Sequence, residues 1–238
     1  MKNRSRKYRA IQERVDKRST YTLEEAIGFI KSNSAARFDE TVDFSIHLGL
    51  DLTKLQQPAR GSVNLPHGSG KKVKVLVFAQ GENIERARNA GADYYGGNEL
   101  IEKIKGGWID FQAVVATPDM MRNIATLGKI LGPRGLMPNP KSGTVTFEIE
   151  KIVEELKKGR IEFKMDKDGN IHIPIGKISF SAEHLIDNFY AALKSVLAAK
   201  PQGAKGVYLK SMSLSSTMGP SFSLSINKVL QEMRTTIS

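Results

Sequence analysis

The sequence predicts an α/β protein of two domains: a discontinuous two-layer α/β domain holding both chain ends, and a three-layer α/β/α domain inserted into it. Between residues 73 and 158 short apolar strands alternate with helices, the pattern of parallel βαβ units whose sheet is covered on both faces. At both ends of the chain, alternating segments with one apolar face bracket helices. The loop-forming cluster Leu65-Pro-His-Gly-Ser-Gly70 separates the two patterns on one side, and Gly159 does so on the other. Residues 1–67 and 160–238 are therefore assigned to one domain and 68–159 to the other. A length of 238 residues accommodates both, since domains usually hold on the order of 100 to 150 residues.

Each element has a local reason. Met1 to Arg18 carries eight basic and two acidic residues, with Tyr8, Ile11 and Val15 at near-helical spacing: a basic helix that either docks on the body or stays solvated. Thr22-Leu-Glu-Glu25 is a capping box, in which hydroxyl and carboxylate satisfy each other's neighbouring amides, and it opens a helix to about Ser34. Thr41 to Leu50 alternates, placing Val42, Phe44, Ile46, Leu48 and Leu50 on one face of a half-buried strand. In the inserted region strands are expected at 73–79, 111–116 and 144–147. Helices are expected at 83–90, 98–105, from Thr117-Pro118 onward, and at 150–158. Ile161 to Met165 and Ile171 to Ile175 flank the turn Asp166-Lys-Asp-Gly-Asn170 and predict a hairpin. Ser181 caps a long helix to Ala199, Gly206 to Ile226 alternates again, and Lys228 to Arg234 is helical.

The charge points to a polyanionic partner. Lys and Arg number 36 against 25 Asp and Glu, a net +11 with a pI near 9.7, and each phosphate neutralised by such a side chain releases condensed counterions. Net charge also serves plain solubility, so by itself it does not decide the matter. Residues 68–159 hold 14 basic and 11 acidic side chains (+3), the two terminal segments 22 and 14 (+8). The discontinuous domain is thus the better polyanion binder. With 40% apolar residues and a mean hydropathy of -0.31 the chain can build cores, and no apolar run reaches the roughly 18 residues of a membrane span. The first 18 residues lack the apolar core of a secretory signal, and there are no cysteines. A cytoplasmic protein with no membrane partner is expected.

Enzymatic motifs fail one by one. His67-Gly-Ser-Gly-Lys-Lys72 suggests a phosphate loop, but Leu65 stands where its first glycine belongs, Lys72 where Ser or Thr belongs, and a strand follows instead of a helix. The first strand of the inserted region runs into Ala79-Gln-Gly-Glu-Asn-Ile84, which lacks the glycine spacing of a dinucleotide site. His47, His67, His172 and His184 show no paired spacing for zinc, and no nucleophile motif exists. No cofactor, metal or catalytic residue is expected.

The most distinctive string is Leu131-Gly-Pro-Arg-Gly-Leu-Met-Pro-Asn-Pro-Lys-Ser-Gly-Thr-Val145. Its prolines and glycines fix one irregular path on which Arg134 and Lys141 stand as presented cations, either as a rigid connection or as an RNA contact. This string resembles the signature of the ribosomal protein L1 family. The likeness extends to Arg37-Phe-Asp-Glu-Thr-Val42, Arg60-Gly with Leu65-Pro-His-Gly68, Asn89-Ala-Gly-Ala-Asp93, Phe163 to Lys167, and Ser211 to Gly219, in the family's order. Met165 departs from it, standing where many relatives would have a polar residue.

The resemblance implies a Rossmann-like inserted domain and a discontinuous domain that binds large-subunit ribosomal RNA. It also implies a ribosomal protein of the mobile stalk that assists release of deacylated exit-site tRNA, represses translation of its own operon messenger RNA, and is a monomer outside the ribosome. Three segments should then converge on RNA. Arg37, Phe38, Glu40 and Thr41 supply a cation, an aromatic face and polar groups, although Phe38 is equally a core candidate. Lys164, Asp166 and Lys167 flank the turn, followed by His172. Ser211, Ser213, Ser215 and Thr217 place hydroxyls on one strand face toward 2'-hydroxyls, with Lys210 beside them as a further RNA contact, Met218 to pack on a ribose or base and Gly219 for close backbone approach. A solvated polar strand would read the same way. Arg134 and Lys141 are expected as a secondary contact from the inserted domain.

Overall fold

The computed structural model describes residues 5–16, 19–34, 36–50, 59–201 and 206–237. They form two compact units, one of residues 1–70 with 161–238 and one of residues 71–160. The sequence put the divisions at 67/68 and 159/160. Residues 67 and 68 fall with the discontinuous unit for a visible reason: Asn188, fully buried, accepts from the His67 amide at 3.1 Å and donates to the Gly68 carbonyl at 3.0 Å.

In the discontinuous unit, α1 (Arg6–Glu13) is capped by the Ser5 hydroxyl, and Val15 just beyond it enters the core. Helix α2 (Leu23–Ser32) opens on the expected reciprocal Thr22/Glu25 box. A four-stranded antiparallel sheet runs in the order β7 (Asn170–Lys177), β1 (Thr41–Leu48), β8 (Leu209–Ser216), β9 (Ser221–Ser223). Its inner face carries Val42, Phe44, Ile46 and Leu48 of β1 and Ile171, Ile173 and Ile175 of β7. Against them pack α2 and α8 (Ala182–Ala198), with Phe44 and Phe189 ring centroids 4.3 Å apart. A final helix, α9 (Ile226–Ile237), adds Val229 to this core.

The expected hairpin forms its turn but not its ladder. Asp166 N–H donates to the Asn170 carbonyl at 2.8 Å, yet β6 (Arg160–Lys164) pairs with β2 (Arg60–Asn64) in a separate two-stranded sheet while β7 pairs with β1. Gly61 explains the choice. A Cβ there would stand 2.9 Å from the Phe163 ring, so its absence lets that buried ring lie over β2. Met165 is buried as well, which accounts for an apolar residue amid charges.

The inserted unit holds a parallel sheet in the order β4 (Tyr94–Gly96), β3 (Val75–Phe78), β5 (Ala113–Ala116). On one face Leu76, Phe78, Val114 and Ala116 meet α4 (Asn98–Lys105) and the short helices α5 (Met121–Ile124) and α6 (Gly128–Leu131). On the other, Val75, Val77 and Val115 meet α3 (Glu82–Asn89) and α7 (Ile149–Lys158). These are the three layers the sequence predicts. Gly159 ends α7 in the left-handed conformation at φ 114°. The expected strand at 144–147 is reduced to a bridge between Val145 and Ala116, and β4 occupies what reads as a glycine-rich turn.

Candidate nucleic-acid interface

The outer face of the four-stranded sheet follows from the register. With Val42, Phe44, Ile46 and Leu48 turned inward, Thr41, Asp43, Ser45 and His47 turn outward. Cross-strand pairing extends each position into a row: Pro174, Asp43, Ser215 and Ser221; then His172, Ser45, Ser213 and Ser223; then Asn170, His47 and Ser211. None of these residues is buried. Ser45 Oγ and His172 Nδ1 are hydrogen-bonded at 2.9 Å, as are His47 Nδ1 and Asn170 Oδ1. The surface is therefore a lattice of hydroxyl, imidazole and amide groups at strand spacing, able both to donate to and accept from ribose hydroxyls.

Beyond the Thr41 end of β1, a buried carboxylate joins two expected segments. Glu40 is 1% exposed, and its oxygens accept from the Met218 amide at 2.9 Å and the Ser34 hydroxyl at 3.0 Å. Burial pushes its carboxyl up, but hydrogen bonds from the Met218 amide, the Ser216 and Ser34 hydroxyls and the Ala36 amide outweigh this and hold it below the usual carboxylate range. Glu40 is thus a positioning residue, not the RNA contact expected of it, because its oxygens are spent inside the fold. Thr217 lies one residue past the end of β8 and is exposed, with its hydroxyl tied to the first residue of β1: it accepts from Thr41 N at 3.0 Å and donates to Thr41 O at 3.3 Å. Gly219 completes the turn, since a Cβ there would stand 2.4 Å from Ser216 Oγ.

These ties leave Phe38 and Met218 as an exposed apolar pair of side chains flanking the Glu40 link, 56% and 60% exposed, with Arg37 exposed beside them. Phe38 is not a core residue. At the other end of β1, some 24 Å away for eight strand residues, Lys164, Asp166 and Lys167 are all exposed. Asp166 shapes the turn: its carboxylate accepts from Asp168 N at 2.9 Å and Asn170 N at 2.7 Å, and these bonds, with Asn170 foremost, lower its pKa. Lys210 falls in the irregularity between His47↔Ser211 and Leu48↔Leu209 and is exposed. The expected residues of this unit accordingly form two groups at opposite ends of β1, joined by the outer sheet face.

Arg134 and Lys141 belong to the other unit. Arg134 is exposed, and Lys141 stands in the short 3-10 turn Pro140–Ser142 with its side chain outside the described residues. Arg160 braces that loop, donating to the Ser142 carbonyl at 2.7 Å and pairing with Glu155. The face also includes residues not singled out from sequence: Asp43, Ser45, His47, Asn170, Ser221 and Ser223. The alternation of β1 carried the signal for the first three; the others depend on pairing partners distant in sequence. Among the described residues no group of His, Asp or Glu could hold a metal ion, and no helix is long and apolar enough to cross a membrane.

Comparison with known proteins supplies a family. The profile of the ribosomal protein L1p/L10e family matches residues 30–220. The chain is similar to the large ribosomal subunit protein uL1 of Cutibacterium acnes, 54% identical over 217 residues that cover 91% of this chain and 94% of that protein. It is also similar to the large ribosomal subunit protein uL1 of Thermobifida fusca, 53% identical over 217 residues, 91% of this chain and 92% of that protein. A match running from the last turn of α2 through residues of both units to the Gly219 turn leaves one conclusion: the chain belongs to the ribosomal protein L1p/L10e family.

Proposed function

We propose that the outer face of the sheet β7-β1-β8-β9, with Phe38 and Met218 at one end and Lys164 and Lys167 at the other, is the surface on which this chain holds a folded region of large-subunit ribosomal RNA. Its family makes the chain a structural constituent of the large ribosomal subunit, a protein of the cytoplasm and not an enzyme. The observation that carries the RNA reading is the polar face, none of whose row residues is buried, with Ser45, Ser211, Ser213 and Ser215 on rows that also hold His47 and His172. Double-helical and folded RNA is recognised through shape, phosphates and 2'-hydroxyls, which such a lattice matches, while an exposed Phe and Met suit an unstacked base.

Filter binding of the full chain to large-subunit ribosomal RNA fragments over a salt series tests this. One preferred fragment is expected, with log affinity falling linearly in log salt, and a flat response with no preference would overturn the reading. The finer role extends to the mobile stalk, where the inserted unit, with Arg134 and Lys141, assists departure of deacylated tRNA from the exit site. The same face would bind a similar fold in the chain's own operon messenger RNA and repress its translation. Competition between the ribosomal and messenger fragments for one site is the expected result, and independent binding would separate the two activities.

A further inference from the structure

We infer that His47 is the residue by which the sheet face tells RNA from DNA: its Nε2, left as a bare acceptor by Asn170 and Asp166, takes the proton of one ribose 2'-hydroxyl. The inference rests on the RNA-binding reading above and names the group on the RNA that one side chain of that face selects. The cause lies first in the turn. Asp166 Oδ1 accepts from Asp168 N at 2.9 Å and Asn170 N at 2.7 Å, and the turn is docked on β1 by Leu48 N, which donates to Gly169 O at 2.8 Å. These bonds to Asp166, the Asn170 amide foremost, hold its carboxyl below the usual range, so the group is ionised and only accepts. The side-chain amide of Asn170 lies against it, with Nδ2 3.1 Å from Asp166 Oδ2.

That contact fixes the amide, because its oxygen in the same place would set two acceptors against each other. The Asn170 carbonyl oxygen is then the atom 2.9 Å from His47 Nδ1, and since it only accepts, Nδ1 carries the proton. A neutral imidazole has one N–H, so Nε2 holds a lone pair. It has no hydrogen-bond partner among the described residues. His172 lacks such a lock, since its Nδ1 meets the Ser45 hydroxyl, which donates or accepts equally. An acceptor without a donor selects its ligand. Along a nucleic-acid backbone the phosphate and ring oxygens only accept, and the 2'-hydroxyl is the one donor. Thr41 and Ser45 can donate or accept, and Asp43 repels phosphate, so among the outward residues of β1 the uncharged acceptor is His47. Ser211, level with His47 on β8 and exposed, supplies a hydroxyl able to donate to the same ribose oxygen. A deoxyribose laid over His47 leaves Nε2 desolvated and unpaired, which weakens binding.

Two measurements test this on the full chain. In the imidazole nitrogen spectrum at about pH 8.5, where free imidazole is neutral, His47 is expected in the Nδ1–H form. Asn170→Leu should move it toward the Nε2–H form that free histidine favours, a change that a merely structural role for Asn170 does not produce. A proton on Nε2 in the parent overturns the lock. The second measurement is filter binding of the preferred ribosomal fragment carrying single 2'-deoxy substitutions. At one nucleotide the substitution should weaken the parent about three- to tenfold, the worth of one hydrogen bond, and should cost His47→Leu nothing further. Asn170→Leu should shrink the same difference with His47 still in place, and unchanged amide spectra away from β1 and β7 show both variants folded. A preferred fragment whose 2'-deoxy pattern is the same for His47→Leu as for the parent overturns the His47 assignment alone. Absence of any preferred fragment removes the RNA surface, and this assignment with it.

Discussion

In the discontinuous unit, β1 buries Val42, Phe44, Ile46 and Leu48 and leaves Thr41, Asp43, Ser45 and His47 outward, whereas in the inserted unit all four residues of β3 are buried. Among the described residues the core helices α2 and α8 cover one face of the antiparallel sheet, and the parallel sheet has helices on both. A half-covered sheet gives every second residue to a ligand at fixed spacing, on a backbone that does not bend to meet it. A fully covered sheet has no face to give. Any partner of the inserted unit must therefore meet its loops and helix surfaces, where Arg134 stands.

The sharpest way to break this contrast is to place one carboxylate on each sheet. Val77→Asp puts an unpaired charge into a core where Val77 is fully buried, and should cost on the order of 4 kcal/mol or more, unfolding the inserted unit in a urea titration. Ser45→Asp should stay within about 0.5 kcal/mol of the parent and instead weaken RNA binding by repelling phosphate. Comparable destabilisation by both would mean that the β1 face is not solvent-facing as its register states.

A second test concerns the carboxylate that builds one end of the face. Because Glu40 titrates below the usual range in the folded chain, its stabilisation is complete above the ordinary glutamate value, about 4.3, and fades as pH falls through the lower folded value. Glu40→Gln should cost about 1.5–3 kcal/mol at neutral pH, the worth of hydrogen bonds to a charged group, and flatten the acid limb of the stability profile. RNA affinity should fall with it, since the Met218 turn loses its anchor. A variant as stable as the parent across pH 3 to 7 would show that the carboxylate is not the tie.

Phe38→Ala separates binding from folding at the same place. With the ring 56% exposed, stability should hardly change, while loss of a stacked base should cost about 1–3 kcal/mol of RNA affinity. Unchanged affinity in filter binding would remove Phe38 from the surface.

What was legible in the sequence follows the range of the interactions. The Thr22/Glu25 box, the alternation of β1 and the Gly159 stop act within a few residues, and the fold shows each of them. The pairing of β6 with β2 was not legible, because Gly61 and Phe163 are a hundred residues apart and nothing local says that one ring fills the other's missing side chain. The candidate site divides the same way. Exposure of Ser211, Ser213 and Ser215 follows from period two, but the inward turn of Glu40 depends on Ser34 and Met218, and the tying of the Thr217 hydroxyl depends on Thr41. Short polar side chains beside a strand end look alike until their partners are known.

The smallest expected effect concerns the two exposed cations, Lys164 at the β6 end and Arg134 on the inserted loop. Each phosphate contact contributes roughly 0.7 to 0.9 to the slope of log affinity against log salt, so Lys164→Ala should lower that slope by about one contact's worth. Arg134→Ala should leave the slope for an isolated ribosomal fragment unchanged, because a fragment gripped by the half-covered sheet has no need of a loop on the other unit. The two variants differ in charge by the same amount, so a mere loss of net charge would move both slopes equally. That outcome would dissolve the division of labour between the units. A change confined to Lys164 would sharpen it, locating the fragment's electrostatic grip on the discontinuous unit.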